Sequence, residues 1–494
     1  MTEQVRDENV LRAEKRRKLH EMKESGINPF PYRYERSGSI EEIRSKYDQL
    51  SPGDKAESEK YNLAGRLMAK RVMGKATFIN IQDQSGMLQG YIQANKLSQS
   101  AKAAFELIDI GDFVGISGFM FKTKKGELSL FCEDFEVLCK TLEPLPEKFH
   151  GIADPEIKYR FRYLDLIMNP ESRKVFETRS KIIREIRNYL DDAGFMEVET
   201  PILQPVYGGA AAHPFSTHHR ALDMKLYMKI SPELYLKRLI VGGFDKVYDL
   251  GKNFRNEGVD RTHNPEFTML EWYEAWTDYN DQMERFEQLI SHLAIKITGS
   301  TKVTYQGKEI EFKAPWRRLT VYDGIREYAN VDPEKMSDED IFLELKKYEG
   351  ELEKHPGGRG AMLMRLFEHT VEKHLWQPTF VLDHPKEISP LTKIHRTNPD
   401  LVERFEPFCA CMEIGNAYSE LNDPEDQRNR LKEQEAMRVT DEEAHPMDEN
   451  FIHSIEVGMP PTGGVGVGVE RIVMLLTDSS TIRDIILFPT MKHK

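Results

Sequence analysis

The amino-acid sequence predicts a multidomain α+β protein, in which a small N-terminal β-barrel precedes a larger domain of strands and helices. The chain has 494 residues, more than one hydrophobic core usually supports. Short strand-like runs fill residues 61–141, and a proline-rich segment then leads into longer helical and strand patterns. The expected parts are an N-terminal helical arm (1–60), the barrel (61–141), a linker (142–160) and the larger domain (161–494).

Composition and charge narrow the class of protein. Apolar residues make up 39% of the chain, and no run approaches the ~18 apolar residues that a membrane helix requires. The first 23 residues carry charges where a signal peptide would be apolar, so we expect no export. The four cysteines show neither zinc-binding spacing nor a dense disulfide pattern, so we expect a reducing, cytoplasmic compartment.

The charge distribution bears on nucleic-acid binding. A net charge of -13 argues against a protein that coats nucleic acid indiscriminately, but it does not exclude a local basic patch. Such a patch lies in "LRAEKRRKLHEMK", residues 11–23, which has the pattern of a basic helix with few apolar positions. Two interpretations stay open, a solvated helix face and an arm that contacts RNA.

The segment 61–141 has the pattern of a small closed barrel. Its strand-like runs include "FINIQD", "LQGYIQ", "FVGISGFMF" and "ELSLFCEDFEVL", with turn signals between them. One helical stretch, "NKLSQSAKAAFELID", accompanies these strands. This combination fits the five-stranded oligonucleotide-binding barrel, with a generic barrel as the alternative.

The larger domain opens with a long amphipathic helix. The segment "ESRKVFETRSKIIREIRNYLDDAG" has a glycine at its end and apolar residues at helical spacing, at Val175, Ile182, Ile186 and Leu190. Residues 300–406 alternate charged helical segments with turns and carry no recognisable motif. We therefore expect a helical insertion there.

The first concentration of polar residues lies in two predicted strands, "KVYDLGKNFRNE" and "FTMLEWYEAW". Strand alternation puts four side chains on one face, those of Phe267, Met269, Glu271 and Tyr273. A carboxylate on a buried face needs a cation, and Arg255 on the preceding strand is a candidate. A purely structural salt bridge between Glu271 and Arg255 is the alternative.

The second concentration lies near the C-terminus. In "CMEIGNAYSELND", alternation puts Asn416, Tyr418 and Glu420 on one face. The alternating glycines of "GGVGVGVERIVMLL" would clear a strand face for a flat ligand, with Arg471 at the start of the following helix. This is not a dinucleotide fingerprint, since Glu470 and Arg471 stand where the third glycine belongs. A nucleotide site here would have to use arginines.

Three segments resemble, in chain order, the signature motifs of class II aminoacyl-tRNA synthetases: "GFMEVETPIL", "FRNEGVDRTHNPEFTMLEWY" and "GGVGVGVERIVMLL". Others are similar to the lysine-specific, bacterial-type branch of subclass IIb, namely "GGAAAHPF", "SPELYLKRLIVGGFDKVYDLGKNFRNEG", "NAYSELNDPEDQ" and "DSSTIRDIILFPTMK". The resemblance extends from the barrel to the C-terminus. It implies an oligonucleotide-binding barrel that reads an anticodon, and a catalytic domain whose antiparallel sheet is flanked by helices.

The resemblance implies that ATP activates lysine as lysyl-adenylate, and that lysine is then transferred to tRNA(Lys). Arg255 would bridge the lysine carboxylate and the α-phosphate, and Arg471 would cover the adenine and meet the γ-phosphate. Glu257 would accept from the adenine amino group, His263 would reach the terminal phosphates, and Phe267 would stack beneath the ring. The implied ATP-contacting set is Arg255, Glu257, His263, Asn264, Phe267, Glu413 and Arg471.

The lysine-binding set implied in the same way is Gly209, Glu233, Arg255, Glu271, Tyr273, Asn416, Tyr418 and Glu420. Glu233 and the carbonyl of Gly209 would take the α-amino group, and Glu271 with Glu420 would hold the ε-ammonium. Magnesium would bridge ATP to Glu413 and Glu420. Glu420 thus has two candidate roles, and we favour lysine binding.

The resemblance also implies partners. The barrel would read the anticodon through Arg71, Phe78, Gln89 and Asp134. Phe78 would stack on a base, although barrel core is the alternative for a strand phenylalanine. The first motif, with Pro201, would form the interface of a homodimer.

The sequence departs from the family at a few positions. Many members have arginine where His213 stands, alanine near Gly463 and glutamate where Asp134 stands. An aspartate- or asparagine-specific relative should offer cations in its pocket, and a shorter lysine-attaching relative lacks the barrel. A non-catalytic RNA-binding relative should have lost Arg255 or Arg471, and both are present.

Overall fold

The computed structural model describes residues 3–146, 152, 154–350, 357–438 and 445–492, with side chains from residue 9 onward. The chain divides into two compact units, Met1–Gly151 and Ile152–Lys494. The linker expected at 142–160 lies partly outside the described residues. All four cysteines are free.

The first unit contains a closed five-stranded barrel with the strand order β1-β2-β3-β5-β4. Its strands are β1 (Lys55–Met73), β2 (Ala76–Gln82), β3 (Met87–Ile92), β4 (Phe113–Lys122) and β5 (Leu128–Cys139). Its helices are α1 (Glu3–Glu24), α2 (Ile40–Ser45) and α3 (Gln99–Glu106). β3 pairs with β5 in parallel, and the other barrel pairs are antiparallel. The barrel prediction is confirmed, although β1 begins before residue 61.

Helix α1 uses part of its basic charge to dock on the barrel. The Lys15 ammonium donates to the carbonyl of Ile110 at 3.1 Å, and Lys18 pairs with Asp109 at 2.6 Å. Met22, near the end of the helix, is fully buried in the barrel core cluster. The sequence suggested a solvated helix or an RNA-contacting arm, and barrel docking is a third role for some of the same lysines.

The second unit holds a nine-stranded sheet, a two-stranded hairpin and a three-stranded sheet. Its strands are β6 (Met196–Glu197), β7 (Leu203–Gln204), β8 (Ser216–His219), β9 (Met224–Met228), β10 (Lys246–Phe254), β11 (Glu266–Ala275), β12 (Lys302–Tyr305), β13 (Lys308–Glu311), β14 (Arg317–Thr320), β15 (Thr379–Pro385), β16 (Leu401–Cys409), β17 (Met412–Glu413), β18 (Gly415–Ser419) and β19 (Thr462–Gly468).

The helices of this unit flank its sheets. They are α4 (Pro155–Arg160), α5 (Arg162–Met168), α6 (Pro170–Asp192), α7 (Glu233–Val241), α8 (Tyr279–Thr298), α9 (Val321–Ala329), α10 (Asp338–Glu349), α11 (Gly358–Thr370), α12 (Pro424–Met437), α13 (Glu449–Gly458), α14 (Val469–Leu476) and α15 (Ile482–Ile485). Three 3₁₀ turns occur at Pro333–Lys335, Glu372–His374 and Lys386–Ile388. Among the described residues, no helix is long and apolar enough to cross a membrane.

The nine-stranded sheet has the order β14-β15-β16-β18-β19-β11-β10-β6, with β17 paired to β16. Its pairs are antiparallel except β14 with β15 and β6 with β10. The largest apolar core includes residues of this sheet and of α6, α8 and α14. In β19 the buried valines Val465 and Val467 belong to this core, so the alternating glycines belong to the opposite face.

The structure agrees with the predicted long helix and differs over the insertion. Ile182, Ile186 and Leu190 of α6 are buried in the core, as their spacing predicts. The segment expected to be a helical insertion, 300–406, contributes β14, β15 and most of β16 to the main sheet. These strands were missed because they are short apolar runs between charged helices, and such runs carry a weak periodic signal.

Candidate active site

A cavity of about 370 Å³ opens on the glycine-bearing face of the nine-stranded sheet. Every predicted ATP- and lysine-contacting residue except Glu420 lines it, namely Gly209, Glu233, Arg255, Glu257, His263, Asn264, Phe267, Glu271, Tyr273, Glu413, Asn416, Tyr418 and Arg471. Strand alternation on β11 and β18 therefore brought these polar groups to one face, as the sequence predicted.

The glycines of β19 leave room for neighbouring side chains. The neighbouring strands pair Gly464 with Tyr273 on one side and Tyr418 on the other. They pair Gly466 with Glu271 and Asn416 in the same way. A Cβ atom on Gly464 would stand 2.1 Å from Oε1 of Glu420 and 2.4 Å from the ring of Tyr273. No side chain can occupy that position without displacing both groups.

Glu271 is a buried carboxylate held by hydroxyl groups. Ser231 donates to it at 2.7 Å and Tyr273 at 3.1 Å. Burial, reinforced by the charge of Glu233, raises the pKa of Glu271 to about 8. Among the described residues no ion pair joins it to Arg255, so the structural salt bridge considered from the sequence is not formed.

A second pair of carboxylates shares one internal cation. Helix α7 begins at Glu233 and places Lys237 one turn later, with its Nζ 2.5 Å from Oε1 of Glu233 and in contact with Oε2 of Glu420. Tyr418 donates to the other oxygen of Glu233 at 2.6 Å. Oε1 of Glu420 thus lies on the glycine face next to Gly464, while Oε2 contacts Lys237, and the buried Glu420 side chain is not part of the cavity lining.

Arg255 faces the cavity and makes no ion pair with any other residue that the structure describes. Its guanidinium lies 5.2 Å from the centre of the Phe267 ring, and its buried Nε has no hydrogen-bond partner among the described residues. Burial lowers the pKa of Arg255 below its usual range, although the charges of Glu257 and Glu413 oppose that effect. A partly buried guanidinium with no ion pair among the described residues favours an anionic ligand at this position.

Arg471 is a second arginine that lines the cavity. It donates to the carbonyl of Glu413 and lies 3.7 Å from the carboxylate of the same residue. Its Nη2 is 3.2 Å from Nε2 of His263, whose Nδ1 is 2.8 Å from Asp260. Since arginine can only donate, Nε2 of His263 accepts, and Nδ1 carries the proton towards Asp260.

The carboxylate beside Glu413 is Glu406, which sequence reasoning missed. Arg404 donates to Glu406 at 2.6 Å and His384 lies 3.3 Å away, and these two neighbours, against the effect of burial, lower the pKa of Glu406 to about 2. Burial and the charge of Glu406 raise the pKa of Glu413. Of the predicted metal pair, Glu413 lines the cavity and Glu420 is buried against Lys237, while Glu406 also lines the cavity, and the metal-binding role of the pair stays a prediction.

A magnesium ion here would need ligands from outside the chain. In the part of the chain that the structure describes, no group of three His, Cys, Asp or Glu side chains could hold a metal ion alone. The two carboxylates at the cavity fit the usual magnesium arrangement, in which one or two carboxylates share the ion with phosphates and water. The signal for Glu406 was present, because "RFE" alternates charged residues along β16.

On the barrel, two of the predicted anticodon residues, Arg71 and Phe78, belong to a row of four cross-strand neighbours. Arg71, Phe78, Tyr91 and Phe131 are paired in succession across β1, β2, β3 and β5. Tyr91 lies 5.2 Å from Phe78 and 5.4 Å from Phe131, between ring centres. Phe78 is half-buried whereas the adjacent Ile79 is fully buried in the core, so the Phe78 ring lies on the outer face.

The other two predicted anticodon residues lie on neighbouring strands. Gln89 donates to the hydroxyl of Ser129 at 2.8 Å, and Asp134 is exposed on β5. Sequence reasoning missed Tyr91 and Phe131. Tyr91 follows Gln89 by two residues, so strand parity alone would have placed the two on one face.

Comparisons with known proteins match both units. Residues 154–492 match the family described as tRNA synthetases class II (D, K and N), and residues 61–138 match an OB-fold nucleic acid binding domain. A relative from Clostridium novyi (strain NT), named lysine–tRNA ligase, is 52% identical over 489 residues, covering 98% of this chain and 95% of the relative. A relative of the same name from Carboxydothermus hydrogenoformans is 50% identical and covers 97% of this chain and 97% of the relative. Another from Pelotomaculum thermopropionicum is also 50% identical and covers 99% of this chain and 96% of the relative.

Proposed function

The chain belongs to the class II tRNA synthetases of the D, K and N family, and from that membership we propose that it joins L-lysine to tRNA(Lys) with ATP. One observation carries the amino-acid assignment. The pocket holds three buried carboxylates, those of Glu233, Glu271 and Glu420, of which Lys237 contacts two, and an arginine that makes no ion pair with another described residue. The side of the pocket that holds the carboxylates therefore lacks positive charge, and the side that holds Arg255 lacks negative charge.

Lysine supplies the missing charges. Its carboxylate suits Arg255, and its two ammonium groups suit the carboxylates of Glu233 and Glu271, which line the cavity. An uncharged side chain would leave buried carboxylates unpaired, which is the most effective basis for rejecting a substrate. The sister specificity for aspartate or asparagine would need cations where these carboxylates stand.

The first chemical step needs positioning and charge neutralisation. A lysine carboxylate oxygen attacks the α-phosphorus of ATP, the new P–O bond forms, and pyrophosphate leaves with the electrons of the broken bond. No side-chain nucleophile is required. Arg255 would hold the carboxylate and the α-phosphate together, because a guanidinium fork can donate to two oxyanions. A hydroxyl of the terminal tRNA ribose then attacks the adenylate carbonyl, and AMP leaves.

The remaining groups would hold ATP. The ring of Phe267 lies beneath Arg255 and offers a flat apolar surface to adenine, with the Glu257 carboxylate beside it as an acceptor. Arg471 and His263, which contact each other, would meet the terminal phosphates. His263, held by Asp260, accepts from Arg471 and so orients the guanidinium, whose remaining N–H groups can donate to a phosphate.

We assign magnesium to Glu406 and Glu413. Burial and the charge of Glu406 raise the pKa of Glu413, and a divalent ion held by both carboxylates would offset the repulsion between them. Bound magnesium would neutralise charge on the phosphates of ATP. Arg404 and His384 hold the Glu406 carboxylate in place at 2.6 and 3.3 Å.

Amino-acid-dependent exchange of pyrophosphate into ATP, run separately with all twenty amino acids, tests the proposed function. We expect exchange with lysine and little with the others. Exchange that depends on aspartate or asparagine would show the sister specificity. Exchange with none of them, from a folded protein, would favour a non-catalytic RNA-binding role.

We further propose that the outer aromatic row of the barrel reads the anticodon. Single-stranded bases bind proteins by stacking on aromatic rings, and the rings of Phe78, Tyr91 and Phe131 form such a surface. Arg71 stands next to Phe78 in register and is exposed, which suits a phosphate contact. Gln89 would contact a base edge.

Phe78→Ala is expected to separate recognition of tRNA from amino-acid activation. Loss of a stacking ring costs about 1–3 kcal/mol per base, so aminoacylation at low tRNA concentration should fall about tenfold or more. Lysine-dependent exchange should stay unchanged. Ile79→Ala, at the neighbouring core position, is the matched control for destabilisation. If Phe78→Ala behaves like that control, with a lower melting temperature and loss of both activities, the ring is structural.

A homodimer is the third part of the proposal. The short strand β6 forms the edge of the nine-stranded sheet, and an exposed apolar stretch follows it, including Pro201, Ile202 and Leu203. Exposed apolar residues beside an unpaired strand edge suit an interface between two copies. Two-fold pairing of identical patches is the commonest oligomeric arrangement.

Leu203→Glu is expected to convert the dimer to a monomer, because each copy would bury the new charge. Light scattering at micromolar concentration gives the mass. Leu343→Glu, at an exposed leucine of α10, is the control and should stay dimeric. A monomeric mass for the unmodified protein would exclude the dimer.

A further inference from the structure

Lys237 is a fully buried lysine within the carboxylate cluster of the proposed lysine pocket. None of its side chain is exposed, and its ammonium contacts Glu233 at 2.5 Å and also Glu420. The rings of Tyr418 and Phe451 lie 5.5 and 5.9 Å from the same nitrogen. It does not line the cavity, so its charge acts on the pocket through the two carboxylates.

The formal charges of the cluster do not balance. Glu233, Glu271 and Glu420 supply three negative charges, and Lys237 supplies one positive charge, which leaves two carboxylates without a cation. The nearby His445 adds no charge at neutral pH, since burial lowers its pKa to about 4.

Two other charged residues lie near the cluster, Asp249 and Arg255, and neither changes its charge balance. Asp249 is paired with Lys229 at 2.9 Å and so adds nothing to the count. Burial raises the pKa of both Glu271 and Glu420, which reflects the cost of holding their negative charges in the pocket without further cations. Arg255 is the group suited to the carboxylate of the amino acid.

We propose that Lys237 is a specificity-determining residue. It sets the net charge of the three carboxylates and Lys237 at two negative charges, which matches the two positive ammonium groups of lysine. The inference rests on the proposed function. Lysine brings two ammonium groups and one carboxylate, so with Arg255 it balances every charge in the pocket. An amino acid with a single ammonium group leaves one carboxylate unpaired.

The energetics of buried ion pairs make this count testable. Removing one member of a buried pair leaves an uncompensated charge and is strongly unfavourable, whereas removing both members is often nearly neutral. Glu420→Gln leaves the cluster with one net negative charge, because Lys237 stays. Adding Lys237→Met to Glu420→Gln restores two net negative charges, carried by Glu233 and Glu271.

The deciding comparison is Glu420→Gln against the double variant Lys237→Met/Glu420→Gln in lysine-dependent exchange. We expect the single variant to lose about 100-fold in kcat/KM for lysine, mainly through KM. In the double variant, kcat/KM for lysine should be at least about tenfold higher than in Glu420→Gln. In both variants, the KM for ATP should stay within about twofold of that of the unmodified protein. A purely structural role for Lys237 predicts the reverse, with the double variant no better than Glu420→Gln.

Two controls separate the possible failures. If the unmodified protein shows no lysine-dependent exchange, the proposed function fails, whereas lysine-dependent exchange without recovery overturns only the inference about Lys237. Melting curves report folding. Should the double variant not fold, Lys237→Gln/Glu420→Gln keeps hydrogen-bonding groups in place and takes over the comparison. Failure of both double variants to fold also overturns the inference, because loss of a balanced pair should be tolerated.

Discussion

Arg255→Ala is expected to abolish adenylate formation while the protein stays folded. Its guanidinium makes no ion pair in the described part of the chain, and its buried Nε has no partner. The side chain therefore contributes little that the folded state needs, and removal of a desolvated charge should leave the melting temperature equal or higher. Loss of a charge-assisted contact made in the transition state costs on the order of 3 kcal/mol, about 100-fold in rate.

The matched control for this variant is Arg261→Ala. Arg261 belongs to the same loop and is exposed, donates to the carbonyl of Ser480 at 3.1 Å, and does not line the cavity. Lysine-dependent exchange should fall in the Arg255 variant and stay near normal in the Arg261 variant. Exchange that survives within about tenfold in Arg255→Ala, a loss of only about 1.4 kcal/mol, would show that the arginine does not bridge the reacting groups.

Strand parity predicted much of the cavity from sequence alone. It placed Phe267, Glu271 and Tyr273 on one face of β11, and that face lines the cavity. Parity also placed Glu420 on the face of Tyr418, since its Oε1 lies where a Cβ on Gly464 would stand and its backbone still pairs with Thr462 beyond the end of β18. Its Oε2 contacts a lysine on α7.

The missed residues depend on contacts between distant parts of the chain. Lys237 joins the pocket because α7 packs beside β11, and Glu406 joins it through β16, more than one hundred residues beyond Arg255. Sequence patterns specify local structure, but they do not specify which distant strand becomes a neighbour. The same limit applies to the barrel, where the pairing of Phe78 with Tyr91 and Phe131 depends on strand register.

The fold class was easier to predict than its boundaries. The buried positions of α6 follow from a periodicity sustained over its whole length, from Pro170 to Asp192. By contrast, β14 has four residues, "RRLT", of which the structure buries Leu319 and leaves both arginines exposed. Such a strand forms because β15 lies alongside it, and its own residues carry little strand signal.

Glu420→Gln is expected to weaken lysine far more than ATP. The change removes one negative charge from the carboxylate cluster of the lysine pocket and leaves Lys237 with Glu233 as its remaining carboxylate partner. Breaking a buried ion pair typically costs about 3–5 kcal/mol, so the KM for lysine should rise about 100-fold or more. The KM for ATP and the magnesium requirement should change little, since Glu420 does not line the cavity.

The reciprocal variant, Glu413→Gln, makes this prediction decisive. Glu413 lines the cavity beside Arg471 and Glu406, so its loss should raise the magnesium and ATP requirements more than the lysine requirement. Steady-state exchange, with each substrate varied at saturating levels of the other, separates the two patterns. If Glu420→Gln lowers the apparent affinities for lysine and ATP equally, and more magnesium restores both, then Glu420 serves the metal ion after all. Its pairing with Lys237 would in that case belong only to the free enzyme, and the lysine ammonium would depend on Glu271 alone.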